Sequence, residues 1–296
     1  MNNLDRIILG DNQFFGINHM SQEKAAAAAE RFATTDKIIR VIDDAYDVGV
    51  RGFMFTTHAR VAEICDHVRK NPDRYKDIRF YPGLPYAHKY ADAVAENGIF
   101  GALKDMILGN SAGGLLSIAG NVTKGLLFQN PFDMMKALVD MELKMFNKLD
   151  VRVVFLQNIV TDLLLGYRIK EPFVEFAKYV KSRYGAEPGF VTQNLPTLVG
   201  FLEECGIENP VVCSGINKIG YLMNPDQKSY EKCIAEKKIR AFAMSILASG
   251  AVPPRDAVKY LKDSVPNLHS VVFGASSKNH IADTISLIKQ NFPDWE

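Results

Sequence analysis

The chain is short of several things, and each shortage excludes something. It has four cysteines in 296 residues, at 65, 205, 213 and 233, and no two form a C-x-x-C pair. Scattered single cysteines predict reduced thiols and a cytoplasmic setting. Neither sign of charge is in excess: 35 Lys and Arg face 34 Asp and Glu, a net charge of +1. That balance argues against a nucleic-acid partner, which needs a basic surface for the phosphates. It also argues against a polybasic membrane-surface protein. No run approaches the roughly 18 apolar residues of a membrane span. The N-terminal apolar run is only Ile7 to Leu9 with no A-x-A-like site after it, so no signal peptide is expected. The six histidines show neither H-x-H nor H-E-x-x-H spacing, and no metal is expected. Ser214 and Ser249 lack a G-x-S-x-G elbow, which argues against a serine hydrolase. The glycine-rich stretch 109–114 follows a helical pattern and has no lysine at the phosphate-loop position, so it reads as a turn.

What is present is ordinary for a folded protein: 47% apolar and 23% charged residues. Length alone allows one domain or two. The order of elements decides between them. Short apolar runs at 6–9, 51–55, 78–81, 151–156, 189–192, 210–214, 239–244 and 270–273 read as strands. Helical patterns lie between them, at 37–48, 61–68, 131–149, 172–184, 195–205, 253–265 and 279–290. The strands lack strict alternation, as strands buried on both faces of a parallel sheet do. Eight such units predict an α/β protein, a single (β/α)8 TIM barrel over 1–296. A doubly wound open sheet is the runner-up. The unit between strands three and four is far longer than the rest. This helical excursion, 87–148, carries Met106, Ile107, Leu115 and Leu116. It is expected to form a lid or a homodimer interface.

Barrel active sites lie at the C-terminal strand ends, so the residues there are the candidates. His58 is the first choice for proton transfer, because its ordinary pKa lies near 6.5. Asp11 and Tyr81 are the others. A capping or packed histidine is an equally good reading of His58. Gln13, Tyr86, His88, Gln157, Asn158, Gln193, Asn194 and Asn217 are candidates for binding a small-molecule substrate. Most are amides, which orient a polar ligand without moving protons. Single loop amides also serve turns and caps. Ser276, Ser277 and Lys278 lie between the last strand and the last helix, where backbone N–H groups, hydroxyls and a cation make an anion site. A plain N-cap would use the same serines.

The stretch VVFGASSKNHIADTISLI (271–288) resembles the end of aldo/keto reductases. Ile8-Leu9-Gly10 with Phe14-Phe15-Gly16 resembles that family's opening strand, and 190–194 and 243–250 resemble its later strands. The resemblance implies a TIM barrel and NADPH held by the last loops, on Ser249, Ser276, Ser277 and Lys278. The family's catalytic set is an Asp and a Tyr after the second strand, a Lys after the third and a His after the fourth. Here the Asp position carries Thr56, and residues 59–68 hold no tyrosine. The third strand runs Phe80-Tyr81-Pro82-Gly83 and the fourth ends Leu156-Gln157-Asn158. Three readings follow. One is an enzyme acting on a small polar, perhaps phosphorylated metabolite through His58. Another is an NADPH-dependent oxidoreductase with Tyr81 or Tyr86 as the acid. The third is a non-catalytic ligand-binding barrel.

Overall fold

A computed structural model describes residues 4–18, 20–85 and 131–295. Nine short strand segments form one sheet: β1 (Ile7–Leu9), β2 (Gly52–Phe53), β3 (Arg79–Phe80), β4 (Gly83–Leu84), β5 (Val153–Leu156), β6 (Glu187–Thr192), β7 (Val211–Gly215), β8 (Arg240–Met244) and β9 (Leu268–Phe273). Their order is β3-β2-β1-β9-β8-β7-β6-β5-β4, and every pairing is parallel.

The two end segments are halves of one strand. On one side, the Tyr81 and Gly83 N–H groups donate to the carbonyls of Phe53 and Phe55. On the other, the N–H groups of Arg152, Phe155 and Gln157 donate to the carbonyls of Phe80, Pro82 and Leu84. Pro82 has no N–H to give, which interrupts the ladder at that point. The sheet therefore closes on itself as an eight-stranded barrel. The expected strand count and architecture hold.

Each strand is buried on both faces, and that is why the sequence shows no alternation. On β5, Val153 and Phe155 point into the barrel, while Val154 and Leu156 pack under the helices. Ile8, Met54, Tyr81, Val191, Cys213 and Phe242 also belong to the interior. Gly189 has no side chain because the Phe155 ring occupies the space its Cβ would take. At the N-terminal end, Asp5 pairs with Arg79 at 2.7 Å and Arg240 with Glu187 at 2.7 Å.

The helices are α1 (Gln22–Arg31), α2 (Thr35–Asp47), α3 (Ala59–Lys70), α4 (Pro131–Leu143), α5 (Asn158–Gly166), α6 (Glu171–Tyr184), α7 (Leu195–Glu204), α8 (Gln227–Glu236), α9 (Pro254–Ser264) and α10 (Lys278–Asn291). On α2, as its 3.6-residue spacing requires, Ile38, Val41, Ile42 and Ala45 form the buried face. Three helices were not expected: α1, α5 and α8. Helix α1 buries no residue, so it has no apolar stripe to read. Its alanines instead let it lie close to the chain at Gly16, where an added Cβ would stand 3.0 Å from the Ala25 carbonyl. The expected helix over 131–149 ends at Leu143 and continues as a single 3-10 turn, Lys144–Phe146. The rest of the expected excursion, 87–130, and with it the lid or interface, lies outside the described residues.

Candidate active site at the C-terminal mouth

Strand parity builds the mouth. Inward positions continue two residues beyond Phe155 to Gln157, so the Gln157 side chain turns over the end of the barrel. It lies across Gly83, where an added Cβ would be 2.5 Å from Nε2. Gln13 does the same on the opposite side. It crosses Gly274, where a Cβ would stand 2.7 Å from Oε1. Its Nε2 donates to the Gly10 carbonyl at 2.7 Å and to that of Ala275 at 3.4 Å. Two glycines thus leave room for two amides.

Asp11 follows β1 and is 6% exposed. Its Oδ2 accepts from the Thr56 N–H at 2.6 Å and the Thr56 hydroxyl at 2.8 Å. Burial pushes the carboxyl up to about 6, and the two Thr56 bonds only partly oppose this. Beside it, His58 caps α3. Its Nδ1 accepts from the Arg60 N–H at 3.1 Å, which places the neutral ring's proton on Nε2. The ring stacks on Phe15 at 4.3 Å. Burial, and then the Arg60 charge, holds His58 below its ordinary pKa. Next to it, the buried Thr57 hydroxyl bonds to the buried carboxylate of Glu142 on α4.

The loops after β8 and β9 form the other side. Ser245, Ala248 and Ser249 hold left-handed φ of 52°, 44° and 54°. Such strain at non-glycine residues is common where a backbone is shaped for a ligand. Ser277 caps α10, accepting from the His280 N–H at 3.4 Å. Among the described residues, the Ser249 and Ser276 hydroxyls have no hydrogen-bond partner. Lys278 pairs with Asp47 at 3.6 Å, half exposed. Arg31 of α1 donates to the Ser276 carbonyl at 2.6 Å. Lys24, two turns earlier on α1, reaches toward Gly250. Sequence reasoning missed these two cations. Their spacing puts them on one helix face, but nothing local tied that face to loops some 245 residues away.

Other candidates sit elsewhere. Tyr81 is fully buried and points to the N-terminal end, where its hydroxyl donates to Asp5 Oδ2 at 2.6 Å and accepts from the Asp5 N–H at 2.7 Å. It is not brought to the mouth. Removing that hydroxyl leaves the Asp5 N–H short of a partner, while Oδ2 keeps Arg79 at 3.0 Å. Tyr81→Phe should therefore cost about 1–3 kcal/mol in urea denaturation and spare ligand binding at the mouth. Asn217 is fully buried, and both poles of its amide are used by the Tyr221 backbone at 2.8 Å. It shapes its loop rather than presenting a free amide. Gln193 is exposed, and its backbone bonds Asp162 and Asn224. Asn194 keeps a buried Oδ1 with no hydrogen-bond partner among the described residues. Asn158 opens α5. Tyr86 and His88 lie outside the described residues.

Among the described residues, no three His, Cys, Asp or Glu side chains gather as metal ligands. None of the described helices is long and apolar enough to cross a membrane. A cavity of about 340 Å³ opens at the other end of the barrel, lined by Asp140, Lys144, Lys148 and Arg183 among others. It is remote from the strand-end groups, and in barrels that face serves stability rather than chemistry.

No family model and no curated protein matches the chain. Solved structures do. A Pseudomonas aeruginosa protein assigned provisionally to the aldo-keto reductases superposes with a TM-score of 0.60 at 13% identity, covering 97% of this chain and 91% of that one. A thermostable aldo-keto reductase solved with the inhibitor epalrestat gives 0.57 at 11% identity, covering 97% and 90%. The chain has an aldo-keto reductase-like barrel. At such identities the likeness concerns the fold, so the activity rests on the residues described above.

Proposed function

We propose that this barrel is an oxidoreductase that binds NADPH along the loops after β8 and β9 and acts on a small polar carbonyl compound at its mouth. The observation that carries the reading is the set of Arg31, Lys278, two serine hydroxyls that bond no other described residue and the α10 N-terminus, on loops with strained backbone. These groups fit a phosphate-bearing dinucleotide. Backbone N–H groups and the helix dipole favour anions. The Lys278–Asp47 pair is exposed and weak, so Lys278 can turn to a phosphate at little cost. When bound, the nicotinamide supplies hydride. The chain's own part is to hold and orient: Gln13 and Gln157 present amides to the substrate across Gly274 and Gly83. Gln193, Asn194 and Asn158 stand farther round the rim as further contacts for a larger polar substrate. A single domain is part of this proposal, since the barrel closes only with strands from Ile7 to Phe273. The cytoplasmic setting and the homodimer remain with it as expectations.

The first reading, with His58 as the acting group and a phosphorylated metabolite as substrate, has less support. The His58 ring is already used as a helix cap and a stacking partner. The test is thermal. NADPH should raise the melting temperature, and Lys278→Glu should weaken that shift more for NADPH than for NADH. No shift with either nucleotide at millimolar concentration would overturn the proposal and favour a non-catalytic binding barrel.

A further inference from the structure

Among the described residues, the mouth has no acid in the places where a reductase of this fold is expected to keep one. The position after β2 carries Thr56, the β3–β4 strand turns its tyrosine toward Asp5, and the position after β5 carries Gln157. A carbonyl cannot accept hydride efficiently unless its oxygen also receives a proton or an equivalent charge. We infer that Asp11 is the catalytic acid of this site, donating the proton that the substrate oxygen takes up. The inference rests on the oxidoreductase reading above.

Three observations carry it. Asp11 stands at the C-terminal end of β1, two residues before Gln13 and bonded to Thr56 beyond the neighbouring β2. Both Thr56 bonds to its carboxyl go to Oδ2. Among the described residues, no neighbour bonds Oδ1, so that oxygen is the one that can carry and release a proton. The surroundings also keep the proton on near neutrality. Burial is the largest influence, Thr56 and then Asp11's own N–H oppose it, and no charged side chain enters the balance. The titratable groups on adjoining elements are His58 and Arg60 beside β2, Glu142 behind Thr57, and Lys278 on α10. His58 is the weaker candidate, because its Nδ1 is committed to Arg60 and its ring to Phe15.

The step balances. A bound reduced nicotinamide would supply hydride, with the two electrons of the new C–H bond. The C=O π pair moves onto oxygen. The O–H bond of Asp11 breaks, its electron pair stays on the carboxylate, and the proton joins the substrate oxygen. The products are an alcohol, oxidised nicotinamide and ionised Asp11, which regains a proton from water.

Asp11→Asn keeps the shape and the Thr56 bonds but has no acidic proton. The probes are NADPH with glyceraldehyde, glyoxylate and benzaldehyde. NADPH should raise the melting temperature of Asp11→Asn as it does that of the wild type, while kcat falls about 100-fold or more. Wild-type kcat should decline above about pH 6, and Thr56→Val, which removes a bond favouring the carboxylate, should move that decline to higher pH. Carbon-detected NMR of the aspartate carboxyls should show one signal titrating near pH 6 that is missing from Asp11→Asn. A wild type that binds NADPH but whose Asp11 titrates below pH 5, or that reduces none of the probes, overturns the inference. So does an Asp11→Asn variant with undiminished turnover. Absence of NADPH binding overturns instead the reading beneath it, while the NMR titration still reports on the acid.

Discussion

Phe155→Ala is expected to lower the unfolding free energy by about 3–5 kcal/mol. The ring is fully buried in the barrel interior and meets Phe242 edge-on at 5.7 Å. It also rests on Gly189 of the neighbouring strand, in the volume a Cβ would need. Removing it opens a cavity that closed strands cannot collapse to fill. The converse change, Gly189→Ala, overpacks the same contact and should cost about 1–3 kcal/mol. The two substitutions must couple. Without the ring the larger obstacle to the new methyl is gone and only Val153 Cγ1, at 2.7 Å, remains, so Gly189→Ala should cost less on the Phe155→Ala background than alone. Urea denaturation of the four proteins measures this. Simple additivity would mean that ring and glycine do not share the space described.

The same contact shows why part of the fold was legible. Strands buried on two faces must be apolar throughout, and eight such runs with helical patterns between them have few architectures open to them. Helix α1 could not be read this way, because it buries nothing and its alanines carry no stripe. Helix α5 is apolar on most sides, with Ile159 and Leu163 exposed, and so showed no face either. The site was legible by position and illegible by direction. A residue after a strand is near the mouth, but its side chain follows the parity of the strand and the turn of the loop. Gln157 continues the inward series of Phe155 and reaches the mouth. Tyr81 also lies on an inward series, but one layer lower, and its hydroxyl is held at the other end. Asn217 is turned into its own loop by Tyr221. Asp11 was named from its place after the first strand. What no local pattern could show was that Thr56 would hold one carboxyl oxygen and leave the other.

Asp11 should also leave its mark on stability, without any ligand present. Its carboxyl ionises near 3.8 in the unfolded chain and at about 6 in the folded one. A raised folded value means that folding favours the protonated form. The group's favourable contribution is therefore complete below about pH 4 and is lost as pH rises through about 6. Above that, the folded protein must hold a buried carboxylate or give up the fold. The loss corresponds to about two pKa units, or about 3 kcal/mol. Asp11→Asn has no such titration but accepts the same Thr56 donors through its side-chain oxygen. The difference in unfolding free energy between the two proteins should thus swing in favour of Asp11→Asn by about 2.4 kcal/mol between pH 4 and pH 7, most of that loss. Other titrating groups are common to both proteins and cancel in the difference. Urea denaturation across that range measures the swing. A constant difference would place the Asp11 carboxyl at its ordinary pKa, ionised throughout, and would leave the mouth without its acid.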